Sequence, residues 1–248
     1  MAKLPGILPL RGTIQEMTFA HTRNGVIVKK KTNLTKERMD SDPAFARTRE
    51  AMADFRTATK SARLIYNALR GSLPAVKDSD AFTRTQSIMK EAMRADNTNP
   101  RGQKTVTDGN LAVVQGFDFN KSNPLENLCF IPYTTTVNRV AGELEVTLPV
   151  YIPTDTLIAP SNATHYRIVV TGAELNFSNL AKVVDKQMTS YLVLDSTPTA
   201  LSTLTCAMPA NSTHPMVISL GVEYFLEDDG TKYPLKDGSS HAIVKVDA

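Results

Sequence analysis

Tyr166-Arg-Ile-Val-Val170 is a short run rich in β-branched residues and bounded by turn residues. Side chains of this kind favour extended backbone because they pack well on a pleated surface. Similar runs recur on both sides of it, with turn residues between them. They are Leu111-Ala-Val-Val114, Leu144-Glu-Val-Thr-Leu148, Tyr191-Leu-Val-Leu194 and Met216-Val-Ile-Ser-Leu220. The pattern predicts about seven or eight strands in an antiparallel, immunoglobulin-like β-sandwich.

Upstream of these strands the sequence changes to a helical pattern. Ser41-Asp42-Pro43 supplies an N-cap and a proline for the first helical position. Gly71 and Pro74 supply a stop, and Asp78-Ser79-Asp80 precedes a second apolar pattern. Two helices with a short connection predict an antiparallel helical hairpin. We expect the first helix to bury a stripe formed by Phe45, Met52, Phe55, Ala62, Tyr66 and Leu69.

The N-terminal segment carries a hairpin signal, the dipeptide Asn24-Gly25. If these two residues form the turn, Phe19 faces Lys30 and His21 faces Val28. Neither face of such a hairpin is cleanly apolar, and an isolated hairpin is marginally stable in water. We therefore expect the hairpin to lean on its own chain or on a neighbouring molecule.

Charge is distributed unevenly along the 248 residues. Residues 1–110 contain 20 Lys and Arg against 11 Asp and Glu, whereas residues 111–248 contain 8 against 14. This asymmetry favours nucleic-acid binding by the first half, or contacts between basic and acidic parts of different copies. We divide the α+β chain into a basic β-hairpin arm (1–40), a helical hairpin (41–103) and a β-sandwich domain (104–248).

Four arginines recur every seven residues along the first predicted helix, with Lys60 beside them. Because seven residues are close to two turns, these side chains line one flank of the helix. A row of guanidinium groups suits carboxylates or phosphates, and a solvated flank is the alternative. Lys29-Lys30-Lys31 adds basic character beside the hairpin. The candidate interaction residues are Arg49, Arg56, Lys60, Arg63, Arg70, Lys29, Lys30, Lys31, Phe19 and Val28.

The sequence gives no support for catalysis. No Gly-x-Ser-x-Gly, P-loop or Gly-x-Gly-x-x-Gly motif occurs, and the four histidines lack metal-ligand spacing. We expect Cys129 and Cys206 to be buried free thiols. The apolar stretch at the N-terminus is short and contains prolines, so we expect no secretion signal and no membrane span. The sequence predicts a non-enzymatic protein with no catalytic residue, metal or cofactor, located in the cytoplasm or in an assembled particle.

Several segments together carry a family resemblance. They are Gly12-Thr-Ile14, Lys36-Glu-Arg38, Asp42-Pro-Ala-Phe-Ala-Arg-Thr-Arg-Glu50, Gly116-Phe-Asp-Phe-Asn120, Ala163-Thr-His-Tyr-Arg167, Gly172-Ala-Glu174, Gly221-Val-Glu-Tyr-Phe225 and Tyr233-Pro-Leu-Lys-Asp-Gly238. With these segments the chain resembles a family of uncharacterised Bacteroidota proteins of about this length. The resemblance covers nearly the whole chain, and it implies a bacterial host and no particular activity.

Two functions of different classes follow from these features. The first is a structural protein that self-assembles into a homo-oligomeric particle, tube or filament, phage-like in kind, through its basic arm and acidic sandwich. The alternative is a protein that associates non-specifically with nucleic acid through its basic half. A sandwich that binds small ligands or sugars is a third hypothesis, and it is disfavoured since the chain has no Trp and only 6% aromatic residues.

Overall fold

The molecule divides into two compact units, Met1–Arg49 and Glu50–Ala248. The limits of these two units differ from those of the three predicted domains, 1–40, 41–103 and 104–248. The helices after residue 50 belong to the same unit as the strands that follow them, because they share a core with those strands. The computed structural model describes residues 2–3, 11–22, 25–31, 34–72 and 78–248, without the side chains of residues 2, 3, 236 and 237.

The first unit is built around a small antiparallel sheet rather than a single hairpin. Its elements are the strands β1 (Ala2–Lys3), β2 (Gly12–Ile14), β3 (Met17–Thr22) and β4 (Gly25–Lys30) and the helix α1 (Lys36–Ser41). The strands lie in the order β1-β4-β3-β2 in the sheet, and α1 follows them in the chain.

The register between β3 and β4 differs from the predicted one by two residues. Phe19 pairs with Val28, and Thr22 pairs with Gly25. Gly25 is therefore part of the strand rather than of the turn, and Asn24 lies outside the described residues. Because the shift is an even number, each side chain stays on its expected face, but Phe19 lies opposite an apolar partner instead of Lys30.

Two long helices follow. Asp42 is an N-cap as expected, but it caps the 3-10 turn that precedes the first of them: its Oδ1 accepts a hydrogen bond from the Ala44 N–H at 2.9 Å. The expected buried stripe is wrong in its first half, because Met52 and Phe55 are 49% and 52% exposed. Pro74 lies outside the described residues. The elements are a 3-10 turn (Pro43–Phe45), α2 (Ala46–Leu69), a second 3-10 turn (Arg70–Ser72) and α3 (Ala81–Arg94).

Strands dominate the rest of the second unit. The run Leu111–Val114, predicted as a strand, is a 3-10 turn, because the Asn110 side chain caps it by accepting from the Ala112 N–H. The other elements are α4 (Leu125–Leu128), β5 (Thr134–Asn138), β6 (Glu143–Leu148), α5 (Pro153–Thr156), β7 (His165–Asn176), β8 (Ala181–Met188), β9 (Leu192–Val193), β10 (Ser202–Ala207), β11 (Met216–Asp228) and β12 (Thr231–Asp247).

These strands form two antiparallel sheets, so the α+β class is confirmed. The larger has the order β12-β11-β7-β8 with β9 on β7, and the smaller has the order β10-β6-β5. Arg139 ties the last strand down: its Nε donates to Asp247 Oδ2 at 2.6 Å, and its Nη1 donates to the carbonyls of Ser212 and His214, each at 2.9 Å.

The two central strands of the large sheet, β7 and β11, are buried on both faces. On one face Ile168, Leu220 and their neighbours share a core with Leu144 and Val146 of the small sheet. On the other face the strands share a second core with α2 and α3. The residues that join sheet and helices there include Ala173, Leu175, Val217 and Ile243 on the strands and Ile65, Leu69, Met89 and Met93 on the helices.

Candidate functional site

The C-terminal half of helix α2 has a buried apolar side and an exposed basic side. Its core side includes the fully buried Ala62, Ile65 and Leu69. Three basic residues of α2 at steps of four and three, and a fourth in the 3-10 turn that follows it, lie exposed on the other side. We call these four residues the basic stripe: Arg56, Lys60, Arg63 and Arg70.

The basic stripe has no acidic partner among the residues that the structure describes. None of the ion pairs found in that part of the chain includes one of its members. From Arg56 to Arg70 the stripe extends about 21 Å along the helix axis, at 1.5 Å per residue. Like charges in a row repel one another. Contact with an anionic surface would offset this repulsion, so binding of such a surface to the stripe would be favourable.

Two lysines of β8 extend the basic stripe at the end of α2. Lys182 Nζ donates to the Asn67 carbonyl oxygen, and Lys186 Nζ donates to that of Gly71 at 3.0 Å. Cations are favoured at this position because the last carbonyls of a helix carry a partial negative charge. Sequence reasoning missed both lysines, since they lie 115 residues from the carbonyls they contact.

Arg49 has different surroundings from the other three arginines of the seven-residue series. It lies in the first unit, half-buried, and its Nη1 donates to the carbonyls of Met39 at 2.9 Å and Asp42 at 3.0 Å. These bonds satisfy carbonyl groups at the end of α1. The guanidinium group of Arg49 is therefore engaged in hydrogen bonds within the first unit.

The small N-terminal sheet exposes Lys29, Lys30 and Lys31. Lys30 Nζ lies 3.9 Å from Glu16 Oε2, and both side chains are 82% exposed, so this pair contributes little to stability. Residues 1–49 contain ten Lys and Arg against four Asp and Glu. The end of β4 and the residue that follows it thus present positive charge to solvent.

The apolar residues that this sheet exposes are not the expected ones. Phe19 is only 9% exposed and Val28, its cross-strand partner, is half-buried. Ile14 and Met17, which pair where β2 meets β3, are 51% and 49% exposed. A hydrophobic contact with another molecule would therefore use Ile14 and Met17. Sequence reasoning missed this pair because it did not include β2 as a third strand beside the hairpin.

The two thiols described in the second unit are not activated as nucleophiles. Burial raises the pKa of the Cys129 thiol, and it raises that of Cys206 to about 11, so both stay protonated at neutral pH. His165 Nε2 lies 3.0 Å from Glu227 Oε2 and its Nδ1 is 3.0 Å from Thr164 Oγ1. Across residues 2–3, 11–22, 25–31, 34–72 and 78–248, no three His, Cys, Asp or Glu side chains group to hold a metal ion.

No protein-family model matches the chain, and no curated protein matches it either. A search of the described helices for a membrane span finds none with the necessary length and apolar character.

Proposed function

We propose that the protein is a non-enzymatic structural component that assembles with copies of itself. The observation that carries this proposal is the basic stripe, whose four exposed cations have no anionic partner within the described part of the chain. The exposed Met52 and Phe55 lie on the same helix just before Arg56. A surface that combines unpaired charge with exposed apolar side chains is typical of a protein-binding surface.

A neighbouring copy offers an acidic surface that fits these cations. Glu143 and Glu145 of β6 point away from the core, in alternation with the buried Leu144 and Val146. Thr136 of β5 and Thr205 of β10 pair with Glu145 on either side. The outer face of the small sheet is therefore polar and negatively charged, and it is our proposed acceptor for the basic stripe of the next copy.

We further propose that the two sheets form a β-sandwich of the immunoglobulin-like kind. Alternate residues of β6 and of β7 contribute to one shared core, which is the pattern of two sheets packed face to face. Such a unit would hold the acidic face rigid, as a repeating contact between copies requires.

Non-specific association with nucleic acid is the second candidate. It is favoured by Lys29, Lys30 and Lys31, which are all exposed in addition to the basic stripe. Phosphate groups release counterions when lysines and arginines bind them, so this binding would fall steeply with salt. A duplex DNA of random sequence, mixed with the protein at low and high salt, tests it.

The experiment for self-assembly reverses two charges of the basic stripe. The double variant Arg56→Glu with Arg63→Glu should form smaller particles than the wild type in light scattering after size exclusion, because it repels the acidic face. Lys90→Glu with Arg94→Glu is the matched control, since it makes the same charge change at exposed positions of α3. Raising salt to 1 M should also reduce particle size, because the Debye length falls from about 8 Å to about 3 Å.

A wild type that is monomeric at low salt would reject self-assembly. Particles of equal size in wild type, stripe variant and control would show that the stripe is not the contact. If particle size is unchanged but the stripe variant alone loses DNA binding, the nucleic-acid function replaces the structural one.

A further inference from the structure

The chain at the ends of α4 and α5 pairs as a small antiparallel ribbon. The Phe130 N–H donates to the Thr156 carbonyl oxygen at 2.8 Å, and the Ile158 N–H donates to the Leu128 carbonyl oxygen at 2.9 Å. These two bonds hold the residues after α4 beside those after α5. The side chains of the ribbon therefore have a fixed arrangement.

One face of this ribbon is buried and the other is exposed. Cys129 and Leu157 pair at its centre, and both belong to the core between the two sheets. Because side chains alternate in extended backbone, the residue after each of them points the opposite way. There Phe130 is 55% exposed and Ile158 is 53% exposed. As diagonal neighbours on paired strands, these two side chains are close enough to touch, and we call them the apolar patch.

The chain around the apolar patch carries only negative charge. The segments 124–132 and 150–160 contain two acidic residues, Glu126 and Asp155, and no Lys or Arg. Both acidic residues are exposed, and neither takes part in any ion pair found in the described part of the chain. The patch thus suits a partner that combines apolar side chains with positive charge.

Helix α2 presents such a surface at its N-terminal end. Met52 and Phe55, which are exposed, lie within about 100° of Arg56 around the helix axis, at 100° per residue. By the same rotation Glu50 and Asp54 lie on the opposite side of the helix. We call Met52 and Phe55 the apolar end of α2, and the charge beside it on this side is positive.

We propose that the apolar end of α2 packs on the apolar patch of the next copy. This proposal rests on the proposed function, because it supplies the hydrophobic part of a contact to which the basic stripe supplies the charge. Opposite charges beside the two surfaces favour their pairing over the pairing of either surface with itself. Since the two surfaces belong to different elements, the contact is head-to-tail and can repeat into rings or filaments.

One helix is long enough to contact both the apolar patch and the acidic face of β6. Phe130 precedes Thr136, the cross-strand partner of Glu145, by six residues, which extend over at most about 22 Å. Helix α2 has 24 residues and is therefore about 36 Å long. The hydrophobic and the charged contacts can thus form along the same helix.

The test mixes two variants of the full chain that each lack one surface. Met52→Ser with Phe55→Ser removes the apolar end of α2, whereas Phe130→Ser with Ile158→Ser removes the apolar patch. Each variant alone should need at least about tenfold more protein than the wild type for half-assembly in light scattering, because burial of two apolar side chains is lost. An equimolar mixture should form dimers and nothing larger, since one intact contact remains for each pair of chains.

Tyr233→Ser is the matched control, because Tyr233 is an aromatic residue of β12 that is 52% exposed. It should assemble like the wild type. Ile14→Ser with Met17→Ser changes the exposed apolar pair of the first unit, and it should also assemble like the wild type. Circular dichroism checks the folding of every variant, and Ile158→Ser alone serves if the double patch variant does not fold.

Dimers in the mixture, with both controls assembling like the wild type, support the proposal. A patch variant that assembles as readily as the wild type would overturn it, while the proposed function stands if reversing the charges of the basic stripe still prevents assembly. Variants that stay monomeric on mixing would overturn the head-to-tail pairing, and loss of assembly in the first-unit variant alone would move the contact to the first unit. A monomeric wild type rejects the proposed function and this proposal together.

Discussion

Asp96 is a fully buried carboxylate with hydrogen bonds at both oxygens. Its Oδ1 accepts from the backbone N–H groups of Thr98 and Asn99, and its Oδ2 accepts from the Thr105 N–H and the Asn99 side-chain amide. These bonds hold the pKa of Asp96 well below its usual range, and the Thr105 N–H is the largest cause. The carboxylate therefore organises the loop that follows α3.

Asp96→Asn should lower the melting temperature by several degrees, because an amide NH₂ in place of one oxygen would face donors instead of accepting from them. Asp155→Asn is the control: it makes the same charge change at an exposed position of α5, and it should shift the melting temperature by much less. Thermal unfolding followed by circular dichroism compares the two. Equal melting temperatures for both variants would contradict this role of Asp96.

His241 is buried, and among the described residues its Nε2 has no hydrogen-bond partner. Its ring lies 5.9 Å from that of Phe119, centroid to centroid. Burial is the main cause that lowers the pKa of His241 to about 3, and the charge of Lys186 adds to it. His241 is therefore neutral in the folded protein at every pH where the protein would be studied.

The unfolded chain binds a proton at His241 near pH 6.5, its ordinary pKa. Below that pH the unfolded state gains protons that the folded state does not, so His241 lowers the free energy of unfolding by up to about 1.4 kcal/mol per pH unit between 6.5 and 3. Urea titrations at pH 7, 5 and 4 measure this dependence. His241→Asn should show a shallower dependence than the wild type, and an unchanged slope would contradict the assignment.

At the scale of elements, the contact between the two sheets depends on Gly172 of β7. A Cβ atom at this position would lie 2.8 Å from the Cβ of Cys206 and 2.9 Å from the Cδ1 of Leu144. The absence of a side chain at Gly172 is therefore what lets β6 and β10 approach β7 closely.

Gly172→Ala should lower the free energy of unfolding by about 1–3 kcal/mol, the usual cost of overpacking a core. Gly71→Ala is the control, since a Cβ at Gly71 meets no atom of the described residues within 4 Å. Chemical denaturation of both variants measures the difference. Equal stabilities would show that the small sheet can move away from β7 without loss.

The sequence predicted elements better than it predicted their partners. Runs rich in β-branched residues, such as 166–170 and 216–220, lie in strands because local side-chain preference and burial agree there. The prediction of a strand at 111–114 was wrong, because the Asn110 side chain caps a 3-10 turn there. This cap favours the turn although the residues themselves have the apolar character of a strand. Lys182 and Lys186 could not be assigned to the basic stripe, since only the fold brings β8 to the end of α2.

At the scale of the whole molecule, the second unit needs its helices. Leu175, Val217 and Ile243 of the large sheet share their core with Ile65 and Met89 of the helices. Without α2 and α3 one face of the sheet would expose these apolar side chains to water.

We expect residues 50–248 to fold as a cooperative unit and residues 104–248 to bind hydrophobic dyes and aggregate. Denaturant titrations and dye fluorescence of both fragments measure this. A shorter fragment with a sharp unfolding transition and no dye binding would show that the sheets are self-sufficient. Failure of the longer fragment to fold would mean that the first 49 residues contribute to its stability.

The hydrogen bonds of Arg139 also affect the rate at which the second unit folds. They join positions 108 residues apart in the chain, from Arg139 to Asp247, and the hydroxyls of Ser72 and Thr171 join positions 99 residues apart. Loops of this length must close before such contacts stabilise anything, so folding of the second unit should take milliseconds to seconds rather than microseconds. During that interval unpaired strand edges are exposed to other chains. In a cell, the yield of folded protein would then depend on the local concentration of newly made chains.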